Sequence, residues 1–222
     1  MWLRKHYASL RAQPRLIQAI WAMLAIEFLL ALWEWQLALA AVACLTFLLT
    51  LVPMYLTSRL GIALPTPLLV GITIFIFATI FLGEAFDFYS RYWWWDVALH
   101  GTSALGFGLL GFLMVFMLFE GDRYAAPHWA LALIAFSFAV TIGALWEIFE
   151  FAMDQAFGTN MQKSGLVDTM WDLVVDVIGA SLGALAGWLY LIGRGPGPMR
   201  NLFEDFVAKN RRFYRKFKSQ IK

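Results

Sequence analysis

Three carboxylates, Asp168, Asp172 and Asp176, recur every four residues where a polar loop runs into an apolar stretch. On a helix that spacing sets them along one face. Two other segments carry a related signature. "WWWDVALHG" places Asp96 four residues before His100, which puts the imidazole on the same face and about 6 Å deeper. "GALWEIFEFAMD" places Glu147, Glu150 and Asp154 at i, i+3 and i+7, again one face. Carboxylates around one imidazole form a donor set for Zn²⁺, and an oxygen-rich set suits Mg²⁺, Mn²⁺ or Ca²⁺. No HExxH or cysteine–histidine framework accompanies them, so the residue types leave the metal open. The cations near these acids are His100, Arg91 and Lys163. Either a divalent cation or shared protons must therefore balance the charge.

The elements that must position these groups are set by composition. Of 222 residues, 61% are hydrophobic and 14% charged, with a mean hydropathy of +0.68. A soluble domain is about half apolar and about a quarter charged, so the expected class is an all-α polytopic membrane protein. Six segments are long enough to cross a bilayer as helices: 16–33, 36–56, 67–83, 97–119, 128–151 and 171–192. Trp33, Glu34 and Trp35 join the first two in a tight hairpin, and Pro53, Gly61, Pro65 and Pro67 punctuate the next link. The longest interior loop is expected at 152–170. The chain thus divides into an N-terminal segment, 1–15, a six-helix domain, 16–192, and a basic tail, 193–222. There is no cleavable signal pattern, and the single cysteine, Cys44, lies in an apolar run without a disulfide partner.

Charge orients the helices. Six spans put both termini on one side, with Arg4, Lys5, Arg11, Arg15, Arg59, Arg123 and nine more in 194–222, fifteen of the seventeen basic residues. Arg91 and Lys163 alone fall on the other side. The positive-inside rule then predicts cytoplasmic termini, and a bacterial inner membrane is the expected location. Most acids, and an aromatic belt of Tyr89, Tyr92, Trp93, Trp94, Trp95 and Trp171, gather at the outer boundary.

In this orientation His100, Glu147 and Asp176 share a depth, and Asp96, Glu150 and Asp172 lie one turn above. Below Asp96 and His100 the same face carries Ala104, Gly108 and Gly111; below Asp176 come Gly179, Gly183 and Gly187. Small residues at such spacing let helix backbones approach, so both polar faces should turn inward onto protein. Capping is open for Asp96 and Asp168, since negative charge near a helix N-terminus is stabilised by about 0.3–1 kcal/mol. It does not account for Glu147 near a helix C-terminus, or for Asp176 a turn inside. An unpaired acid at mid-span costs about 2.5–3.5 kcal/mol, so these groups need partners. The expected arrangement is an outward-open pocket. Asp96, His100, Glu147, Asp172 and Asp176 are its candidate metal ligands, and Glu147 is its candidate general base. Glu150 and Asp168, with Thr159, Asn160, Gln162 and Lys163 of the loop above, are candidates for binding a polar headgroup.

From Met199 onward, Phe203, Phe206, Val207, Phe213, Phe217 and Ile221 fall near one helical face, with Arg211, Arg212, Arg215, Lys216, Lys218 and Lys222 around the rest. This predicts a cationic amphipathic helix lying on the anionic cytoplasmic leaflet; an aromatic-rich face suits lipid better than nucleic acid. Glu27, in the first span, either joins the pocket or pairs across helices. His6 and His128 lack acidic company.

The stretches "FLGEAFDFYS", "WWWDVALHGTSALGFGLLGF" and "GALWEIFEFAMDQAFGTNMQKSGLVDTMWDLVVDVIGASLGAL" resemble the YjdF-like bacterial inner-membrane proteins over about residues 67–190. More distantly, the order of motifs resembles the VanZ-like proteins, with an Asp-xxx-His helix, a Glu-bearing helix, and an Asp entering a Gly-rich helix. On that resemblance Asp96, His100, Glu147 and Asp172 match. It implies an envelope location and links to glycopeptide tolerance. The Arg of the VanZ-like loop has no counterpart; Lys163 is the nearest cation.

Three functions fit these residues. A divalent metal (Zn²⁺, Mg²⁺ or Mn²⁺) in the pocket would act on a lipid or lipid-linked envelope substrate. The acids would otherwise exchange protons in a carrier for an envelope metabolite or lipid, without any cofactor. In the third, the cluster serves a non-catalytic membrane factor. Membrane lipids are the expected partners in each.

Overall fold

In lipid, an apolar segment satisfies its polar backbone N–H and C=O groups by coiling on itself, and that dictates helices along this chain. The computed structural model describes residues 13–119 and 126–213, and among them it contains helices and turns without a strand. The helices are α1 (Arg15–Trp33), α2 (Leu37–Leu60), α3 (Thr66–Ile76), a wider π-helical continuation (Phe77–Ala85), α4 (Phe88–Arg91), α5 (Trp95–Leu118), α6 (His128–Phe157), α7 (Leu166–Leu191) and α8 (Gly197–Lys209). Among the described residues, six stretches are long and apolar enough to cross a membrane, α3 counting together with its continuation. The protein is an all-α polytopic membrane protein. Its chain divides into two packed units, Met1–Tyr92 and Trp93–Lys222.

In the first unit, Ile20 and Leu24 of α1, Ala43 of α2, and Phe77 and Phe81 of the π-helical stretch form one buried cluster. The Trp21 indole N–H donates to the Thr50 hydroxyl at 2.8 Å, which ties α1 to α2 without an orphaned donor. Glu27 is half-buried on α1. Pro53 does not break the chain as its position in the expected link suggests: α2 runs through it to Leu60 and stops at Gly61, whose φ of 62° closes the helix in the left-handed region. A proline removes one ladder hydrogen bond, and the flanking apolar turns still gain from staying helical.

In the second unit, α5, α6 and α7 pack on one another along small residues. A side chain at Gly179 would stand 2.5 Å from the Gly101 carbonyl oxygen, and one at Gly183 would stand 2.6 Å from that of Leu105. Glycine alone permits this backbone contact between α5 and α7. The helices also extend past the expected spans. α6 reaches Phe157 and caps at Gly158 (φ 64°), and α7 begins at Leu166, so the loop expected at 152–170 shrinks to 158–165. Asp154 and Asp168 therefore lie on helical turns.

Over its described part the tail forms an amphipathic helix, α8, whose apolar residues Phe203, Phe206 and Val207 are buried against protein. Phe203 is fully buried, with its ring centroid 5.1 Å from Phe112 of α5 and 5.0 Å from Tyr190 of α7. Burying one such ring is worth about 1.5–3 kcal/mol, and a positive φ at Gly193 turns the chain back to allow it. Phe217, Ile221 and the basic residues from Arg215 on lie outside the described residues, as do Arg4, Lys5, Arg11 and Arg123.

Candidate functional site

The backbone contact between α5 and α7 decides what sits one turn away from it. Gly101 follows His100 and Gly179 follows Asp176 by three residues, so the two polar side chains are held face to face across the same seam. His100 Nδ1 and Asp176 Oδ1 are 3.2 Å apart, and both residues are buried. An ionised carboxylate can only accept, so Nδ1–H is the donor, and in the neutral imidazole the lone pair then belongs to Nε2. That atom faces Glu147 Oε1 of α6 at 3.8 Å and Asp96 Oδ1 of its own helix at 3.9 Å.

These separations are too long for hydrogen bonds. They match donor atoms arranged around one ion, since metal–ligand bonds of about 2.0–2.6 Å leave neighbouring ligands about 3–4 Å apart. His100, Glu147 and Asp172 each offer one donor atom, and the three lie within 4.8 Å of one another, all from buried residues. Glu147 is 4% exposed and Asp176 1% exposed. Both oxygens of Glu147, and Oδ2 of Asp176, are buried without a hydrogen-bond partner. The hydroxyl of Thr169 accepts from Gln162 Nε2 at 2.7 Å and also interacts with the Glu147 carboxylate. Orphaned carboxylate oxygens are expensive in a low-dielectric interior unless a cation or a proton meets them. The donor set of one imidazole nitrogen with carboxylate oxygens fits a divalent cation.

Above this core, Asp96 is half-buried and its Oδ2 stands 3.6 Å from the Lys163 ammonium. Asp168, also half-buried, interacts with Lys163 as well. Asp96, Asp168 and Asp172 form a second group of carboxylates whose donor atoms lie within 4.8 Å of one another. Glu150, a candidate for binding a headgroup one turn above the core, is buried, and its Oε1 accepts from the Trp146 indole at 2.8 Å.

The loop over the helix ends is organised by an acid the sequence placed on the pocket face. Asp154 accepts from the Thr159 hydroxyl at 2.6 Å and from the backbone N–H groups of Met161 and Gln162 at 2.8 and 2.9 Å. Thr159 and Gln162 are thus engaged in holding the loop, and Asn160 is exposed. The loop delivers Lys163 to Asp96. One residue sequence reasoning missed is Gly143, where any side chain would collide with the carboxylate of Asp176. Its position one turn before Glu147, on the same face of α6, is the signal that points to it. Trp146 and Thr169 are further neighbours of the acids that their residue types alone did not single out.

The family model described as "Predicted membrane protein (DUF2238)" matches residues 16–193, a range that contains the whole cluster. A relative from Thermotoga maritima, bearing the description "Uncharacterized protein", is 30% identical over 114 residues, which cover 51% of this chain and 57% of the relative. The match therefore spans little more than half of that relative's length. No solved structure matches the chain.

Proposed function

The chain belongs to the DUF2238 family of predicted membrane proteins, and from that premise we propose that α5, α6 and α7 hold a divalent cation for chemistry on a lipid or lipid-linked envelope substrate. The observation that carries the proposal is the pair of orphaned acids: Glu147 and Asp176 bury unpartnered carboxylate oxygens beside an imidazole whose second nitrogen faces carboxylates at 3.8 and 3.9 Å. In this reading His100 Nε2, Glu147 and Asp172 are ligands. Asp176 fixes the ring and its tautomer through Nδ1–H, the arrangement that raises the basicity of metal-bound histidines. The imidazole nitrogen favours Zn²⁺ or Mn²⁺ over Ca²⁺. The bound ion would polarise a phosphoryl or carbonyl oxygen and activate water. Glu147, with two oxygens free of hydrogen bonds, has one for the ion and one to take a proton from the attacking water.

The basic-residue distribution supports a site opening to the leaflet away from the cytoplasm, where a lipid-linked headgroup would meet it. The YjdF-like stretches fit the family, and the VanZ-like order of Asp96, His100, Glu147 and Asp172 supports an envelope role. The same orphaned oxygens favour one other reading, in which protons in place of a metal neutralise Glu147 and Asp176 in a carrier.

Metal content separates the two. Detergent-purified protein, stripped by chelator and reconstituted, should retain at least one Zn²⁺ or Mn²⁺ per chain after desalting, and Glu147→Gln should lose it. Wild-type protein that retains neither ion overturns the metal reading in favour of shared protons.

A further inference from the structure

We propose that this centre takes two divalent cations, with Asp172 as the bridging carboxylate. The inference rests on the metal reading above and adds a second ion to it. Two triads of donor atoms, His100/Glu147/Asp172 and Asp96/Asp168/Asp172, each lie within 4.8 Å, and Asp172 is common to both. Asp96 links them a second time, since its Oδ1 is 3.9 Å from His100 Nε2 while its other oxygen faces Lys163. A carboxylate can give one oxygen to each of two ions about 3.5–4 Å apart, the spacing of two-metal hydrolytic sites. Asp172 is 4% exposed, and no described residue donates a hydrogen bond to it. A buried carboxylate with both oxygens open, between two donor triads, is placed to bridge.

The two positions differ in chemistry. The inner one has a nitrogen and buried ligands, and so suits Zn²⁺ or Mn²⁺; the outer one has oxygen ligands alone, two of them from half-buried residues, and so suits Mn²⁺ or Mg²⁺ with water completing its shell. Lys163 adds a positive charge 3.6 Å from an outer ligand. Its ammonium competes with an ion there, so the outer site should be the weaker of the two and should tighten when that charge is removed.

The test uses full-length protein in detergent, stripped by chelator and titrated with Mn²⁺. We expect two Mn²⁺ per chain in two affinity steps, with an exchange-coupled electron paramagnetic resonance signal at full loading. Asp168→Asn, which changes a half-buried residue and should fold, is expected to leave one Mn²⁺ and abolish the coupling. Lys163→Gln should strengthen the weaker step several-fold. One Mn²⁺ in wild type, or two without coupling, overturns the bridged pair while the single-ion reading stands. No Mn²⁺ and no Zn²⁺ in wild type overturns both.

Discussion

Oδ2 of Asp176, on α7, lies in the space that a side chain at Gly143 of α6 would need. The glycine is what lets a buried carboxylate enter the helix seam, and its neighbour one turn on, Glu147, is the acid across the imidazole. Gly143→Ala should push Asp176 off His100 Nδ1 and leave the ring without its orienting acceptor. The expected result is a loss of metal affinity of about 10–100-fold, with a stability loss of about 1–3 kcal/mol from the forced contact. Isothermal titration with Zn²⁺ and thermal unfolding in detergent read the two effects separately. Unchanged affinity would mean that the Asp176–His100 contact does not prepare the site.

The glycine seam between α5 and α7 makes a sharper packing prediction. At Gly183 an added Cβ meets the Leu105 carbonyl oxygen at 2.6 Å and the Gly108 Cα at 2.9 Å, and backbone cannot step aside. At Gly106 of α5 it meets nothing within 4 Å. Gly183→Ala should therefore lower stability by about 1–3 kcal/mol. Gly106→Ala should leave stability unchanged or raise it by up to about 1 kcal/mol, through helix propensity alone. Unfolding of both variants in one detergent compares them directly; equal midpoints would remove the seam as the source of helix approach.

The positive-inside expectation assigns fifteen of the seventeen basic residues to one side, and labelling tests that topology. A cysteine placed at Lys163 in a Cys44→Ser background should react with a membrane-impermeant maleimide added to intact spheroplasts. Cysteines placed at either terminus should react after the membrane is opened. Labelling of position 163 only from the cytoplasmic side would turn the site, and any substrate, to the other leaflet.

The sequence makes the cluster legible because helical periodicity fixes which side chains share a face. Asp96 with His100, and Asp172 with Asp176, need only the 3.6-residue repeat, and the glycine stripe below them says which way that face turns. What periodicity does not encode is the cross-helix partner. Gly143 shares a face with Glu147 one turn on, but nothing in a lone glycine within an apolar helix names Asp176 as its neighbour. The same limit hid the Glu150 pairing: both it and Trp146 look like interfacial residues until the indole N–H is seen to donate to the carboxylate. Asp154 obeys the spacing of the pocket face yet folds the loop, because three donors within 2.9 Å satisfy its oxygens. α8 was legible as an amphipathic helix, but its apolar face fits rings of α5 and α7 as well as it fits lipid, and hydrophobicity alone does not choose between them.

Two isosteric changes around His100 should give different kinds of loss. Glu147→Gln replaces a carboxylate that has no hydrogen-bond partner, so it removes a proposed ligand and an uncompensated buried charge together. The metal-free protein should unfold at the same temperature or higher, because an orphaned buried charge opposes folding, while Zn²⁺ binding at the inner position is abolished. Asp176→Asn is gentler. The amide oxygen still accepts from Nδ1–H, so the tautomer and ring orientation survive, but the negative charge that strengthens Nε2 is gone. Zn²⁺ should bind with unchanged stoichiometry and about 10–100-fold lower affinity. Stoichiometry by elemental analysis and affinity by competition with a Zn²⁺ indicator distinguish a ligand from a positioning residue. If Asp176→Asn abolishes binding and Glu147→Gln merely weakens it, the two roles are reversed, and Nδ1 is the nitrogen that meets the ion.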